Sequence, residues 1–267
     1  MRRLLYVMLA VLVYMVSIPL SASAQGSANI NWLDTSKIDQ GVIGIYYSVP
    51  ANTRIKLMVT KEGQTYTYNL INSQETEWFP LQLGNGTYNI SMLENISGNK
   101  YKTIQSAAVQ LEVEDSKIIY LNSIQNVVWK EAELAVKKAE ELTRNLKTDE
   151  EKVIAIYDYI INNISYDHEL ADQITAGYIP DIDDTLTSGK AICYGYSSLF
   201  AAMLRSVGIP AKLVMGHSQY VTEYHSWNEV FINDEWVTID TTVDAGKSSR
   251  DAVYYKDSNK YEAARVY

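Results

Sequence analysis

"SGKAICYGYSSLFAAMLRSVGIP", residues 188–210, holds the only cysteine of a 267-residue chain. Leu199, Phe200, Met203, Leu204 and Val207 recur at helical spacing, Gly208 stands where a left-handed C′ residue belongs, and Pro210 follows as a stop signal. The stretch predicts one amphipathic helix with Cys193 in its first turn. Unpaired amides and the positive dipole end at a helix start favour an anion, so this placement stabilises a thiolate, the nucleophilic form of cysteine. Gly195, two residues on, lets another backbone approach closely. The competing reading is a buried thiol that acts as a small hydrophobe. Neighbouring residues have to decide between the two.

The compartment sharpens the choice. Met1-Arg2-Arg3 is followed by "LLYVMLAVLVYMVSIPL" and then by "SASA", the basic, apolar and small-residue regions of a signal peptide cleaved after Ala24. An uncleaved membrane anchor is the alternative, because the apolar run approaches the roughly 18 residues of a spanning helix. Ser17 and Pro19 interrupt that run, which favours cleavage and export to an extracytoplasmic or cell-surface location. No other stretch is long and apolar enough to span a bilayer. Exported proteins usually pair their cysteines, and one left over is either a link to another chain or a free thiol.

Charge bounds the partners. The chain has 23 Lys plus Arg against 32 Asp plus Glu, a balance of −9 that becomes −11 once Arg2 and Arg3 leave with residues 1–24. This argues against nucleic acid, whose binding depends on clustered positive charge. Anionic surfaces are repelled on average. Membrane contact follows only if the N-terminal segment stays uncleaved.

Residues 25–114 read as short alternating segments, among them "GVIGIYYSV", "RIKLMVT", "QTYTYNL", "GTYNISML" and "YKTIQSAAVQLEV". Turn residues in "PAN", "KEG", "GNG" and "SGN" separate them. Strands at this spacing predict a small antiparallel sandwich of the Ig or fibronectin kind. It holds neither Cys nor His, so it is read as a spacer or binding module.

From residue 115 to 267 the period changes. "WKEAELAVKKAEELTRNL" aligns Ala135, Ala139, Leu142 and Leu146 on one helical stripe. Thr148 and Glu151 form a capping box for a second helix, whose buried face runs through Val153, Tyr157, Ile160 and Ile164. Residues 167–190 read as a long acidic loop. Asp181, Asp183 and Asp184 suggest calcium, but the Gly at the sixth and Glu at the twelfth position of an EF-hand are missing, so they are read as loop acids.

A nucleophile needs a base and a group to orient that base. Of three histidines, His168 lies in the acidic loop, His217 follows "KLVMG", and His225 opens "HSWNEVFI". With Asn233-Asp234 as turn and "EWVTID" as the returning strand, Ile232 opposes Glu235 and Trp227 opposes Asp240. Asp240 then shares the face of His225 at a diagonal of about 7 Å, within side-chain reach. Asn228 faces away. A turn shifted by one residue puts His225 and Asp240 roughly 13 Å apart, too far for a hydrogen bond.

"SGKAICYGYSSLFAAMLRSVGIPAKLVMG" followed by "HSWNEVFINDEWVTIDTT" resembles the core of the transglutaminase-like superfamily, as a bacterial-type secreted member, over about residues 148–245. In that family a Cys at a helix start, a His opening a strand and an Asp ending the next strand form a papain-like triad. The matching positions are Cys193, His225 and Asp240. The resemblance implies an α+β fold, with a papain-like catalytic core at 115–267 preceded by the all-β sandwich. It also implies acyl transfer on protein or peptide amide groups through a thioester. Cys193 N–H supplies one oxyanion donor, and Tyr166 is a candidate for the second. Trp227 and Trp236 are read as core or cleft wall.

The residues leave the acyl acceptor open. An amine gives a crosslinking transglutaminase, and water gives a deamidase or cysteine peptidase. A non-catalytic extracellular binding or scaffold protein is the alternative of a different class; a complete Cys, His and Asp set argues against it. "NGT" at Asn85 and "NIS" at Asn89, Asn95 and Asn163 match glycosylation acceptors, which matter only in a eukaryotic secretory route. No cofactor motif is present, and no metal is called for.

Overall fold

Alternation of buried and exposed side chains builds the N-terminal part of the protein, whose computed structural model describes residues 31–71, 75–175, 177–247 and 252–267. The proposed signal peptide, residues 1–24, lies outside them. Seven strands form two antiparallel sheets: β1 (Leu33–Asp34), β2 (Val42–Ile45), β3 (Ile55–Lys61), β4 (Gln64–Asn69), β5 (Glu77–Pro80), β6 (Gly86–Ser97) and β7 (Lys100–Leu111). One sheet has the order β1-β2-β5 and the other β4-β3-β6-β7. Every second residue of β3 is buried, from Ile55 to Lys61, as one core-facing side of a sandwich requires. Tyr88 of β6 turns its hydroxyl back to donate to Leu81 O at 2.9 Å and Gly84 O at 2.7 Å. Such a tyrosine corner is common in Ig-type sandwiches.

The remaining elements are α1 (Glu133–Thr143), α2 (Asp149–Asn163), β8 (Ser165–Tyr166), α3 (His168–Gln173), α4 (Ile182–Ser188), β9 (Lys190–Ala191), α5 (Cys193–Ser206), β10 (Ala211–Ser218), β11 (His225–Ile232), β12 (Glu235–Ile239), α6 (Thr241–Asp244) and β13 (Tyr261–Val266). A sheet of order β12-β11-β10-β13 carries α5 across β10 and β11. The capping box at Thr148 and Glu151 starts α2. Helix α5 begins at Cys193, and Gly208 just past its end has a left-handed φ of 83°.

Two stretches differ from their sequence reading. Residues 167–190 contain α3 and α4 where a loop was expected; both are too short to show a helical stripe. The acids cap helices: Asp181 Oδ1 accepts from Asp184 N at 2.8 Å. Asp183 reaches across the chain to accept from Leu134 N at 3.0 Å and Ala135 N at 2.9 Å, capping α1. The tail beyond Asp244, whose sequence has no marked strand periodicity, returns as β13 along β10, with Gly216 opposite Ala263 and Ser218 opposite Tyr261.

That pairing depends on Gly216. A Cβ there would lie 2.0 Å from Glu262 O and 2.9 Å from Ala264 N, so β13 would have to lift away. Gly216→Ala is expected to lower the unfolding free energy by about 1–3 kcal/mol, the range for overpacked sites. Urea denaturation checks this; an unchanged midpoint would show that β13 accommodates the methyl group.

Candidate active site

The turn between β11 and β12 sets the site. Asn233 and Asp234 have φ of 51° and 65°, the two left-handed central residues of a type I′ hairpin. Ile232 consequently pairs with Glu235, and the ladder runs back to Asn228 opposite Ile239. This is the register in which His225 and Asp240 share a face. His225 Nε2 lies 2.8 Å from Asp240 Oδ2, with His225 3% exposed and Asp240 fully buried. Asn228 points to the other side, where its Nδ2 donates to Ser197 O and Lys212 O, both at 3.0 Å.

Asp240 has every acceptor site occupied. Its Oδ1 accepts from Thr242 N and Val243 N, each at 3.1 Å, as the N-cap of α6. Oδ2 accepts a second hydrogen bond, from Tyr261 Oη, at 2.9 Å. Tyr261 was absent from the sequence reading. Its sole signal there was the weak alternation of "YEAARVY".

Cys193 closes the set from α5. It lines the same cleft as His225 and acts on the imidazole; with Nε2 committed to Asp240, the ring nitrogen left for sulfur is Nδ1. Burial disfavours a charged imidazole, but hydrogen bonds to Asp240 and Cys193 and the negative charge on both outweigh it, holding His225 at about 9. Cys193 is neither sealed in the core nor fully exposed. Gly195 permits the close packing of the helix start: a Cβ there would lie 2.8 Å from Ala191 Cβ.

Cys193 and His225 open onto a cleft of about 830 Å³ lined also by Tyr166, His168, Asp172, Glu223 and Tyr224, with Asp240 buried behind His225. Tyr166 is brought there by the parallel pairing of β8 with β9, the strand that leads into α5. Burial and then the neighbouring charges of Cys193, Glu223 and Asp172 raise its phenol above the ordinary value. His217 stays outside the lining, its ring edge-on to Tyr224 at 5.5 Å. Trp227 is core: 1% exposed, it lies with its ring 6.3 Å from His225 and 4.9 Å from Tyr261. Trp236 packs elsewhere, against Tyr120 and Phe231. Among the described residues no group of three or more His, Cys, Asp or Glu is arranged to hold a metal ion, and no helix is long and apolar enough to cross a membrane.

Residues 136–241 match the transglutaminase-like superfamily. Kyphoscoliosis peptidase from Mus musculus and its Homo sapiens counterpart are each 32% identical to the chain over 117 residues, 40% of this chain. The chain spans 17% of the length of these curated relatives. The periplasmic domain of TgpA from Pseudomonas aeruginosa is similar over 76% of this chain and 69% of its own, at 14% identity and a TM-score of 0.38. Red sea bream transglutaminase is similar over 75% of this chain and 48% of its own, at 10% identity and a TM-score of 0.33. The matched span, residues 136–241, covers the helix and the hairpin that build this site, so the likeness to the transglutaminase-like superfamily lies in this mixed α and β core.

Proposed function

We propose that the protein is an exported cysteine enzyme that transfers acyl groups from protein or peptide amides through a thioester on Cys193. Members of the superfamily are typically cysteine acyltransferases or peptidases. The observation that carries the reading is the chain of contacts from Cys193 through His225 to the buried, fully hydrogen-bonded Asp240. Export rests on the reading of residues 1–24.

The chemistry follows from the protonation of that chain. Below about pH 9 His225 carries its proton; the reacting form pairs that imidazolium with Cys193 as the thiolate nucleophile. Sulfur attacks the amide carbonyl carbon, and the negative charge moves to oxygen, where Cys193 N–H at the start of α5 is one donor and the Tyr166 hydroxyl the second. As the tetrahedral adduct collapses, the C–N bond breaks and His225 gives its proton to the departing amine or ammonia. An incoming amine or water then attacks the thioester and returns its proton to His225, releasing the thiolate. Asp240 holds one tautomer throughout. Because the acid must be protonated, activity is expected to decline as pH rises through about 9.

Water as acceptor is the second reading, supported by the 32% identity to relatives named as peptidases. Incubating the full chain with a glutamine-containing protein, with and without a primary amine, separates the outcomes. Incorporated amine indicates a crosslinker, ammonia alone a deamidase, and new chain termini a peptidase. If none occurs while a partner still binds Cys193→Ala, the protein is a scaffold and the proposal is lost.

A further inference from the structure

Asp240 has no contact with solvent, and two donors converge on the one oxygen, Oδ2, that faces His225. We propose that Tyr261 is a positioning residue of the active site, a fourth member behind Cys193, His225 and Asp240 that fixes the carboxylate and tunes its pull on the imidazole. The inference rests on the acyl-transfer reading for its meaning, but its geometry stands apart from any substrate.

Three features make Tyr261 more than a neighbour. First, with Thr242 N and Val243 N on Oδ1 and Tyr261 Oη on Oδ2, rotation of the carboxylate breaks hydrogen bonds on both oxygens. A buried acceptor stripped of its donors carries the full desolvation penalty, which keeps it in place. Second, the phenol ring is itself wedged between Trp227, at 4.9 Å, and Tyr220, at 5.5 Å. Burial and then the adjacent Asp240 charge raise its pKa, so it stays a donor over the working range. Third, the strand that delivers it is held at its far end by the sandwich. Arg265 donates to Thr65 O at 2.6 Å and Val266 N to the Tyr66 hydroxyl at 3.2 Å. The sandwich thereby contributes to the site through β13, whose first residue is Tyr261.

The electrostatic sign follows. A hydroxyl donating to Oδ2 draws charge from the oxygen that holds His225. Its removal leaves that oxygen more basic toward Nε2, so the imidazolium is held to higher pH while its alignment loosens. The groups facing His225 are Cys193 from α5 and Asp240 at the end of β12, with Tyr166 from β8, His168 and Asp172 from α3, and Glu223 and Tyr224 from the β10–β11 loop around the cleft. Tyr261→Phe leaves all of them in place.

The test is the rate of Cys193 alkylation by iodoacetamide in the full chain across about pH 5–10, for wild type, Tyr261→Phe and His225→Ala. Tyr261→Phe is expected to move the upper inflection upward by roughly half to one pH unit and to slow alkylation near neutrality about 10-fold, with melting temperature little changed. A profile that superimposes on wild type overturns the proposal, and so does a lowered melting temperature with an unshifted inflection, which marks a merely structural tyrosine. If wild type and His225→Ala share one profile, no Cys-His pair exists, and the acyl-transfer reading goes with it. A His225-dependent wild type alongside an unaltered Tyr261→Phe sinks only the role of Tyr261.

Discussion

Replacing His225 with alanine is expected to slow acyl-enzyme formation by about 10²–10⁴-fold, the range for loss of a positioned acid–base group. The effect is large because, in the proposed reaction, the imidazole does two things at one place. It keeps a proton beside sulfur, and it returns that proton to the leaving nitrogen. Without it the thiol must ionise unaided and the amine must leave as an unprotonated base. Asp240→Asn should fall between wild type and His225→Ala, since an amide preserves shape while losing the charge that holds the imidazolium. The same pairing gives a stability signature. His225 is held at about 9 against an ordinary value of 6.5, so its contribution is complete below about pH 6.5 and is lost as pH rises through 9. The difference corresponds to on the order of 3 kcal/mol. Urea denaturation at the two ends of that window should show the loss in wild type and not in His225→Gln. An acylation rate within two- or three-fold of wild type in His225→Ala would remove the imidazole from the mechanism.

Why this pair was legible and others were not comes down to the distance over which the deciding interactions act. The start of α5 is written locally: an apolar stripe from Leu199 to Val207, then Gly208 and Pro210. The hairpin is equally local, because Asn233 and Asp234 tolerate the left-handed backbone a two-residue turn requires, and the register that follows joins His225 to Asp240. The sandwich was visible through the segments that form β2, β3, β4, β6 and β7, with buried positions alternating most plainly in β3, whereas β1 and β5 span two and four residues and show no period. Tyr261 is different in kind. Its strand is half exposed and has no run of β-branched residues, and what holds it is a glycine 45 positions away and a sandwich strand nearly 200 positions away. Asp183 is similar: it reads as one acid in an acidic loop until its oxygens meet the first turn of α1, 48 residues upstream. Long-range hydrogen bonds leave no periodic trace in the chain, so they appear only once the fold exists.

Removing the carboxylate of Asp244 is expected to destabilise the protein by about 3–5 kcal/mol, the cost of stranding a buried partner charge. Asp244 is fully buried and receives hydrogen bonds from the Tyr157 hydroxyl, from Lys256, whose side chain is 4% exposed, and from Lys247 at 2.8 Å. Burial pushes its carboxyl up, but the donated hydrogen bonds of Lys247, Lys256 and Tyr157 outweigh it and leave Asp244 below the ordinary carboxylate value. Its stabilising contribution is therefore present above about pH 3.8 and disappears as pH falls through the lower folded value. In Asp244→Ala the Lys256 ammonium and the Tyr157 hydroxyl lose their acceptor inside the core, where water cannot replace it. Most of the loss should return in Asp244→Ala with Lys256→Met, because the stranded charge is then gone. The cluster also ends α6, the short helix whose first turn holds Oδ1 of Asp240. Hence the single variant should lose acylation activity beyond its loss of folded fraction, and the double variant should recover stability more fully than activity. Urea denaturation of the three proteins decides the matter. A double variant as unstable as Asp244→Ala would mean that packing around α6, and no buried charge, supplies the energy.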